Sequence, residues 1–440
     1  MAHPPPGRRA CIHTLGCRLN QAESALLCDQ LAAAGYVVVP FGEPADLGVV
    51  HTCTVTREAD AKSRQMIRQF IRANPGARTV VIGCYAQLRG ADIAAIPGVD
   101  LVLGNAEKMR LAEHLAALDA APPEDRVRAP RLGRAPFTLP WTPDGPPVTR
   151  RMNLKIQDGC DFMCSYCIIP FARGRSRSRR LDDLVAEAAS LAARGARELI
   201  LTGVNLGGYA CDGKTLVDAV DRLNALPGVE RIRISSIEMT TVLPGLLERM
   251  ADPAHRLAPH LHLPLQSGSD RILAAMRRHY TRAEYLDTLR AAEAAVPGIG
   301  LGADVLAGFP GETEQDQADT LALIAESPLA YLHVFKYSPR RGSAAERLPE
   351  KADPETAKRG SAALRALGAA KHRAFQERHL GRTVEVLFED RAGGWWTGFT
   401  GSYLRVGVRG GEDLANRIGR VAVEAAHKDF VTGTLDGPLR

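Results

Sequence analysis

Cys160, Cys164 and Cys167 stand in a C-x3-C-x2-C arrangement, Cys160-Asp-Phe-Met-Cys164-Ser-Tyr166-Cys167, directly behind an apolar alternation at residues 152–156. Three thiolates so close together can hold three irons of an iron–sulfur cluster. A [4Fe–4S] cube normally takes four cysteines, so one iron stays free for a further ligand. A metal with an open position is a reactive one, by the logic that separates catalytic from structural zinc sites. A zinc knuckle or three unrelated thiols are the competing readings. Zinc prefers four closed ligands, and no fourth candidate follows Cys167 closely.

A second set is scattered. Cys17 follows Leu15-Gly16, Cys53 follows Val49-Val50-His51-Thr52, and Cys84 follows Val80-Val81-Ile82-Gly83. Their spacing matches no zinc finger, yet each lies at the carboxyl end of an expected strand, where open α/β sheets gather ligands. They meet in space as a second three-cysteine site, or they are buried core thiols, since free cysteine is among the most buried residue types. Cys11, Cys28 and Cys211 read as that inert kind. Just after the compact triplet comes Arg173-Gly-Arg175-Ser-Arg177-Ser-Arg179-Arg180. Residues 150–180 hold eight Lys/Arg against two Asp, a surplus of +6 that equals the net charge of the whole chain. A basic patch beside the chemistry points to a polyanionic substrate, and the bland alternative is a solvated loop entering a helix.

Elements must position these groups. Short apolar runs at 37–39, 47–51, 79–82 and 101–103, with a first strand at 10–13, suit buried parallel strands. Helices are expected at 57–73, at 87–95 and after Asn105, and Asn20 with Glu23 reads as a helix cap with its acidic partner. Residues 8–118 therefore predict a doubly wound α/β domain. Residues 119–149 are proline-rich and read as an extended linker in which Trp141 docks on a neighbour. Over 150–378, strands at 152–156, 198–204, 231–236, 260–263, 303–306 and 332–337 alternate with helices, which suits a partial (β/α) barrel. Active residues of barrels come from the carboxyl ends of strands. Those ends here are 202–205, 235–238, 264–268 and 308–313, which offer small residues, hydroxyls and a carboxylate. The segment 308–313 reads equally as a turn capping the next helix. Residues 380–440 lose helical periodicity, and five β-prone runs predict a small OB-like barrel. Trp395, Trp396, Phe399 and Tyr403 there either stack on bases or form its core.

The bulk numbers narrow the class. At 440 residues the chain exceeds a single core, and its 45% hydrophobic and 24% charged content is ordinary for a globular protein. No apolar run is long enough to span a membrane, and no apolar stretch follows the N-terminal arginines as a secretory signal requires. An odd nine cysteines argues for reduced, metal-serving thiols in the cytoplasm rather than a disulfide framework. The tail from 382 onward carries eight Lys/Arg against eight Asp/Glu, so charge there gives no support to RNA binding.

The C-x3-C-x2-C spacing resembles the signature of the radical SAM superfamily, in which S-adenosylmethionine chelates the open iron and an aromatic residue before the last cysteine lies near the adenine. Tyr166 fits that place. His13-Thr-Leu-Gly-Cys17-Arg-Leu-Asn20, His51-Thr-Cys53-Thr-Val-Thr56 and Gly83-Cys84-Tyr-Ala-Gln87 extend the resemblance to the methylthiotransferases. Their wording is most similar to the bacterial branch acting on N6-threonylcarbamoyladenosine in tRNA. The terminal barrel looks like a TRAM domain. The resemblance implies three parts, an N-terminal doubly wound α/β domain, a central radical SAM partial (β/α)6 barrel and a C-terminal small β-barrel. It implies two [4Fe–4S] clusters, one on Cys160, Cys164 and Cys167 and an auxiliary one on Cys17, Cys53 and Cys84. It places Thr202, Gly203, Ser236, Glu238 and Gly308, with Tyr166, against SAM. It implies that a 5′-deoxyadenosyl radical takes hydrogen from adenine C2, the auxiliary cluster supplies sulfur, and a second SAM supplies the methyl group. No catalytic residues are implied beyond the cluster ligands. Arg173, Arg175, Arg177, Arg179 and Arg180 are expected to clamp the phosphates of a tRNA anticodon loop. An electron donor such as flavodoxin or ferredoxin is the implied partner, with no membrane. The alternatives are relatives acting on isopentenyladenosine in tRNA or on an aspartate of a ribosomal protein, and, in another class, a non-catalytic metal- and RNA-binding protein.

Overall fold

The computed structural model describes residues 7–118, 126–143, 145–148 and 150–440. The chain begins with β1 (Arg9–Thr14), α1 (Arg18–Ala33), β2 (Val37–Val38), β3 (Leu47–Thr52), α2 (Arg57–Ala73), β4 (Arg78–Gly83), α3 (Cys84–Ala94), β5 (Leu101–Leu103), α4 (Leu111–Ala117) and β6 (Val127–Arg128). These strands form a parallel sheet in the order β2-β1-β3-β4-β5-β6. Its central strands are unbroken apolar runs because helices cover both faces. Leu27 and Leu31 pack with Val49, Val80 and Ile82 on one face. Met66, Ile67, Tyr85 and Ile93 pack with Val50 and Val81 on the other.

Two local expectations need correction. The helix start is not at Asn20: α1 opens at Arg18 with Cys17 in the N-cap position and no side-chain cap. Asn20 and Glu23 lie inside the helix and are buried. The segment expected to be a linker also contributes β6, whose Val127 and Arg128 pair with Val102 and Leu103. Further along it Trp141 docks as expected, Nε1 donating to Asp183 Oδ1 at 3.1 Å. Residues 119–125, 144 and 149 of that segment lie outside the described residues.

The central region runs β7 (Met152–Lys155), β8 (Gln157–Asp158), α5 (Ile169–Arg173), β9 (Arg177–Ser178), α6 (Leu181–Ala193), β10 (Glu198–Thr202), a hairpin of β11 (Ala210–Cys211) and β12 (Lys214–Thr215), α7 (Leu216–Asn224), β13 (Arg231–Ile234), α8 (Pro244–Ala251), β14 (His260–His262), α9 (Asp270–Ala275), α10 (Arg282–Ala295), β15 (Gly300–Ala307), α11 (Glu314–Glu326) and β16 (Tyr331–Lys336). The strands β13-β10-β7 and β14-β15-β16 make two parallel half-sheets. Together they are the walls of the expected partial (β/α)6 barrel. Successive strand residues point to opposite faces. Leu199, Leu201, Leu261, Leu263, Leu301, Ala303 and Val305 therefore join the core beneath the helices. The intervening positions, among them Thr202, Arg233, His260, His262 and Asp304, turn into the lumen, which is polar.

A long α12 (Pro354–Glu377) leads to β17 (Thr383–Ala392), β18 (Trp395–Phe399), β19 (Arg405–Arg409), β20 (Ile418–Ala426) and β21 (Val431–Leu435). These close into a barrel in the order β17-β18-β19-β21-β20. Its 399–403 turn seals the amino-terminal foot of the central barrel. Arg231 donates to the Phe399 carbonyl at 3.0 Å, and Arg233 to the carbonyls of Gly401 at 2.7 Å and Thr400 at 2.9 Å. The approach is so close that a Cβ on Gly300 would collide with the Ser402 carbonyl, so that position must be glycine. Trp396 belongs to the small barrel's core, and Trp395 packs on Phe430. Phe399 and Tyr403 stack on each other with ring centroids 4.8 Å apart.

Candidate active site

Strand register brings the scattered cysteines together. Thr14 pairs with His51 and Thr52 with Gly83, so β1, β3 and β4 end at one level of the sheet. Cys17, Cys53 and Cys84 each follow one of those ends. Gly16 turns with φ +97°, and a Cβ there would lie 2.9 Å from Cys53 Sγ; only glycine lets the two cysteine-bearing turns touch. Cys53 is within electrostatic reach of both Cys84 and Cys17. Burial pushes its thiol up to about 11. Asn105 Nδ2 donates to Cys84 Sγ at 3.6 Å.

Behind this triplet lies a buried charge cluster joining the first domain to the second. Glu23 meets Lys108 at 2.5 Å, Lys155 at 2.6 Å and Arg173 at 3.1 Å. Asp158 meets Lys155 at 2.6 Å, Arg173 at 3.0 Å and Arg177 at 3.1 Å. Burial and neighbouring Lys108 hold His51 well below its usual range, so it adds no charge. Lys108, Lys155 and Arg173, all buried, thus face two buried carboxylates. The surplus cation sits beside the cysteines, since Arg173 feels Cys84 and Cys17 directly. Three thiols gathered beside excess positive charge, with an N–H donor to sulfur, fit an anionic iron–sulfur cluster.

The compact triplet is similarly supported. The Ile169 N–H donates to Cys167 Sγ at 3.4 Å and Arg278 Nη1 to Cys164 Sγ at 3.6 Å. Burial pushes Cys160 up to about 11 and Cys167 to about 12. Such thiols are poor nucleophiles, and a metal must take the proton's place. Arg278 also pairs with Glu238 and donates to the Pro264 carbonyl at 2.9 Å. One guanidinium therefore ties the cysteine loop to two strand ends. Gln157 braces a third: its Oε1 accepts from Val204 N at 2.8 Å and Asn205 N at 3.0 Å, and its Nε2 donates to Gly159 O at 2.8 Å. Tyr166 packs with Phe309, Met276 and Ile272. Gly308 donates to Glu312 Oε2 at 2.6 Å while Thr313 caps α11, so the 308–313 segment is a glycine turn and a helix cap at once.

A cavity of about 460 Å³ is reached by the scattered triplet through Cys17 and by the central barrel through its strand ends. Gly16, Cys17 and Arg18 form one wall, and Thr202, Gly203, Ser235 and Ser236 another. Its floor is His260, His262, Asp304, Tyr331, His333 and Tyr403. Asp304 Oδ1 bonds His262 Nε2 at 3.0 Å and His333 Nδ1 at 3.2 Å. The first domain closes the open side of the half-barrel at both edges. Glu23 grips Lys155 of β7, and Asp60 grips Arg340 beyond β16 at 2.7 Å.

The arginine run divides by burial. Arg173 and Arg179 have side chains 1% and 0% exposed, so neither reaches a phosphate. Arg173 is part of the charge cluster, and Arg179 pairs with Asp183 at 2.5 Å and with Glu187. Arg177 sits over Phe137 and pairs with Asp158. Arg175 donates to the Asp161 carbonyl at 3.3 Å. Arg180, 52% exposed, is the member of the run that faces solvent most openly.

Glu23 is read from sequence only as a capping partner, and Asn105, Lys108, Arg278 and the histidines of the lumen receive no functional role there. Glu23 carried a signal, since it repeats at four-residue spacing with Leu27 and Leu31 on the apolar stripe of α1. A charged residue in such a stripe is buried and partnered.

Two family models match, the uncharacterized protein family UPF0004 over residues 9–104 and the Radical SAM superfamily over residues 154–324. Threonylcarbamoyladenosine tRNA methylthiotransferase MtaB of Bacillus subtilis (strain 168) is 36% identical over 435 residues, covering 96% of this chain and 95% of its own. The tRNA-2-methylthio-N(6)-dimethylallyladenosine synthase of Cereibacter sphaeroides (strain ATCC 17029 / ATH 2.4.9) is 34% identical over 97% of this chain and 98% of its own. Among solved structures, the radical S-adenosylmethionine methyltransferase TsrM from Kitasatospora setae shares the fold with a TM-score of 0.54 at 15% identity, over 74% of this chain and 72% of that one.

Proposed function

This chain belongs to the radical SAM methylthiotransferases, and on that footing we propose that it places a methylthio group on C2 of N6-threonylcarbamoyladenosine in the anticodon loop of tRNA. The observation that carries this reading is one cavity lined from the first domain by Cys17 and from the second by Thr202, Gly203 and Ser236. Cys160, Cys164 and Cys167 would hold one [4Fe–4S] cluster and Cys17, Cys53 and Cys84 the auxiliary one. Bound there with SAM, these groups supply radical hydrogen abstraction from an unpolarised C–H bond, the sulfur and the methyl group, chemistry that protein side chains lack.

The chain's own work is positioning and exclusion. Tyr166, Thr202, Gly203, Ser236, Glu238 and Gly308 would line the SAM side, with Arg278 holding Glu238 and the Cys164 loop in one orientation. Gln157 fixes the turn after β10 against the cysteine loop. The first domain, packed over the open edge, narrows the lumen's access to water, which would quench a reactive intermediate. An adenine must leave its stack to enter this cavity, as bases of RNA loops do. Arg180, with Arg175, would meet loop phosphates. A flavodoxin or ferredoxin is the proposed electron donor. The two segments 8–118 and 150–378 act as the sulfur-bearing and radical-generating domains, with 380–440 as a capping barrel.

Mass spectrometry of tRNA nucleosides from a strain lacking the gene is the test. Loss of the 2-methylthio derivative of threonylcarbamoyladenosine is the expected result. Its retention, with loss of the methylthiolated dimethylallyl nucleoside, would move the enzyme to the other tRNA branch. Retention of both would point to a protein substrate.

A further inference from the structure

The formal charges lining the cavity are few, and all but one are matched. Arg233 is buried and engaged by Glu198 at 2.6 Å and by two carbonyls. Asp304 is bridged by two histidines. Arg18 is different. Its Nη2 donates to the Tyr403 hydroxyl at 2.6 Å, and its guanidinium lies 5.7 Å from that ring's centroid. Among the described residues no carboxylate pairs with it.

A phenol orients a guanidinium without neutralising it. Tyr403 is itself held in the left-handed region at φ +69°, unusual for an aromatic residue, by the turn that Arg233 pins through Thr400 and Gly401. The third domain thus delivers a hydroxyl across the foot of the barrel to aim Arg18 into the cavity. The remaining N–H groups of its planar fork match a carboxylate.

Resting on the function proposed above, we infer that Arg18 receives the carboxylate of the substrate's threonylcarbamoyl group and so selects this nucleoside over one with an apolar N6 substituent. Adenine C2 and C6, the carbon that carries N6, flank N1 on one edge of the base. A group that meets C2 and a group that meets the N6 substituent must therefore be neighbours, and Cys17 and Arg18 are consecutive. A dimethylallyl substituent would leave the guanidinium desolvated with no acceptor, which is how a polar site rejects an apolar analogue.

The test uses the full chain with reconstituted clusters and three tRNAs. One carries threonylcarbamoyladenosine, one its methyl ester, and one dimethylallyladenosine. For Arg18→Gln, KM for the acid should rise about tenfold or more, the scale of a lost charge-assisted pair, with kcat little changed. KM for the ester should be the same in wild type and variant, and Arg18→Lys should recover part of the loss. Tyr403→Phe, which removes only the aiming hydroxyl, should raise KM for the acid in the same direction with iron content unchanged. An unchanged KM in Arg18→Gln, or equal losses on acid and ester, overturns the inference while leaving the proposed function standing. Wild-type turnover of the dimethylallyl tRNA but not the threonylcarbamoyl tRNA overturns the function itself.

Discussion

Neighbouring arginines with the same sequence context do different work. Arg179 and Arg180 are adjacent, yet one is sealed between Asp183 and Glu187 and the other faces solvent. Arg179→Ala leaves Glu187 buried without its cation, a loss of about 3–5 kcal/mol in unfolding free energy. Chemical denaturation should show it. Arg180→Ala should leave stability nearly unchanged, weaken tRNA binding, and lower the slope of log affinity against log salt by about one. A titration across salt concentrations reads both quantities. An unchanged slope would remove Arg180 from the RNA contact. Sequence alone showed the charge surplus of this run but not its partition. Burial depends on which strand and helix each side chain faces, and Asp183 and Glu187 were unremarkable acids on a helix until that face was known.

At the scale of elements, α1 carries the junction between the first two domains. Its Glu23 contacts Lys108 from its own domain, and Lys155 and Arg173 from the next. Glu23→Ala would leave three buried cations facing Asp158 alone. The expected cost is about 3–5 kcal/mol, read as a lower thermal midpoint of the intact chain. A change within error would show that the junction does not depend on this helix. Glu198 on β10 plays the matching part at the foot. Burial pushes its carboxyl up, but Arg233, Arg231 and Arg151 together outweigh that and hold it down at about 2. A depressed carboxylate stabilises the fold above its unfolded range, near 4.5, and loses that contribution as pH falls toward about 2. The stability gap between wild type and Glu198→Gln should therefore be full above pH 4.5 and shrink by about 3 kcal/mol by pH 2. Denaturant unfolding of both proteins at a series of pH values would measure it, and a pH-independent gap would contradict the pairing.

Across the whole molecule, the three-part architecture was legible because each part has its own periodicity. Continuous apolar runs between helices mark a parallel sheet, and short β-runs broken by glycines mark the terminal barrel. Strand ends were legible too, so the placement of Cys17, Cys53 and Cys84 beyond β1, β3 and β4 followed from the pattern. What the sequence hid is how the parts meet. The Glu23 cluster, the Arg340–Asp60 clasp and the Tyr403 turn join residues from 85 to 385 positions apart, and no local period encodes such pairs. The polar lumen was hidden for a related reason, since His260 and His262 alternate with leucines as surface polar residues would. The central claim is that two cysteine triplets on different domains each hold a cluster. Anaerobic iron and sulfide analysis of the Cys17→Ala/Cys53→Ala/Cys84→Ala variant tests it most directly. About four irons per chain should remain of about eight, with SAM cleavage retained and methylthiolation lost. Iron content equal to that of the wild type would contradict it.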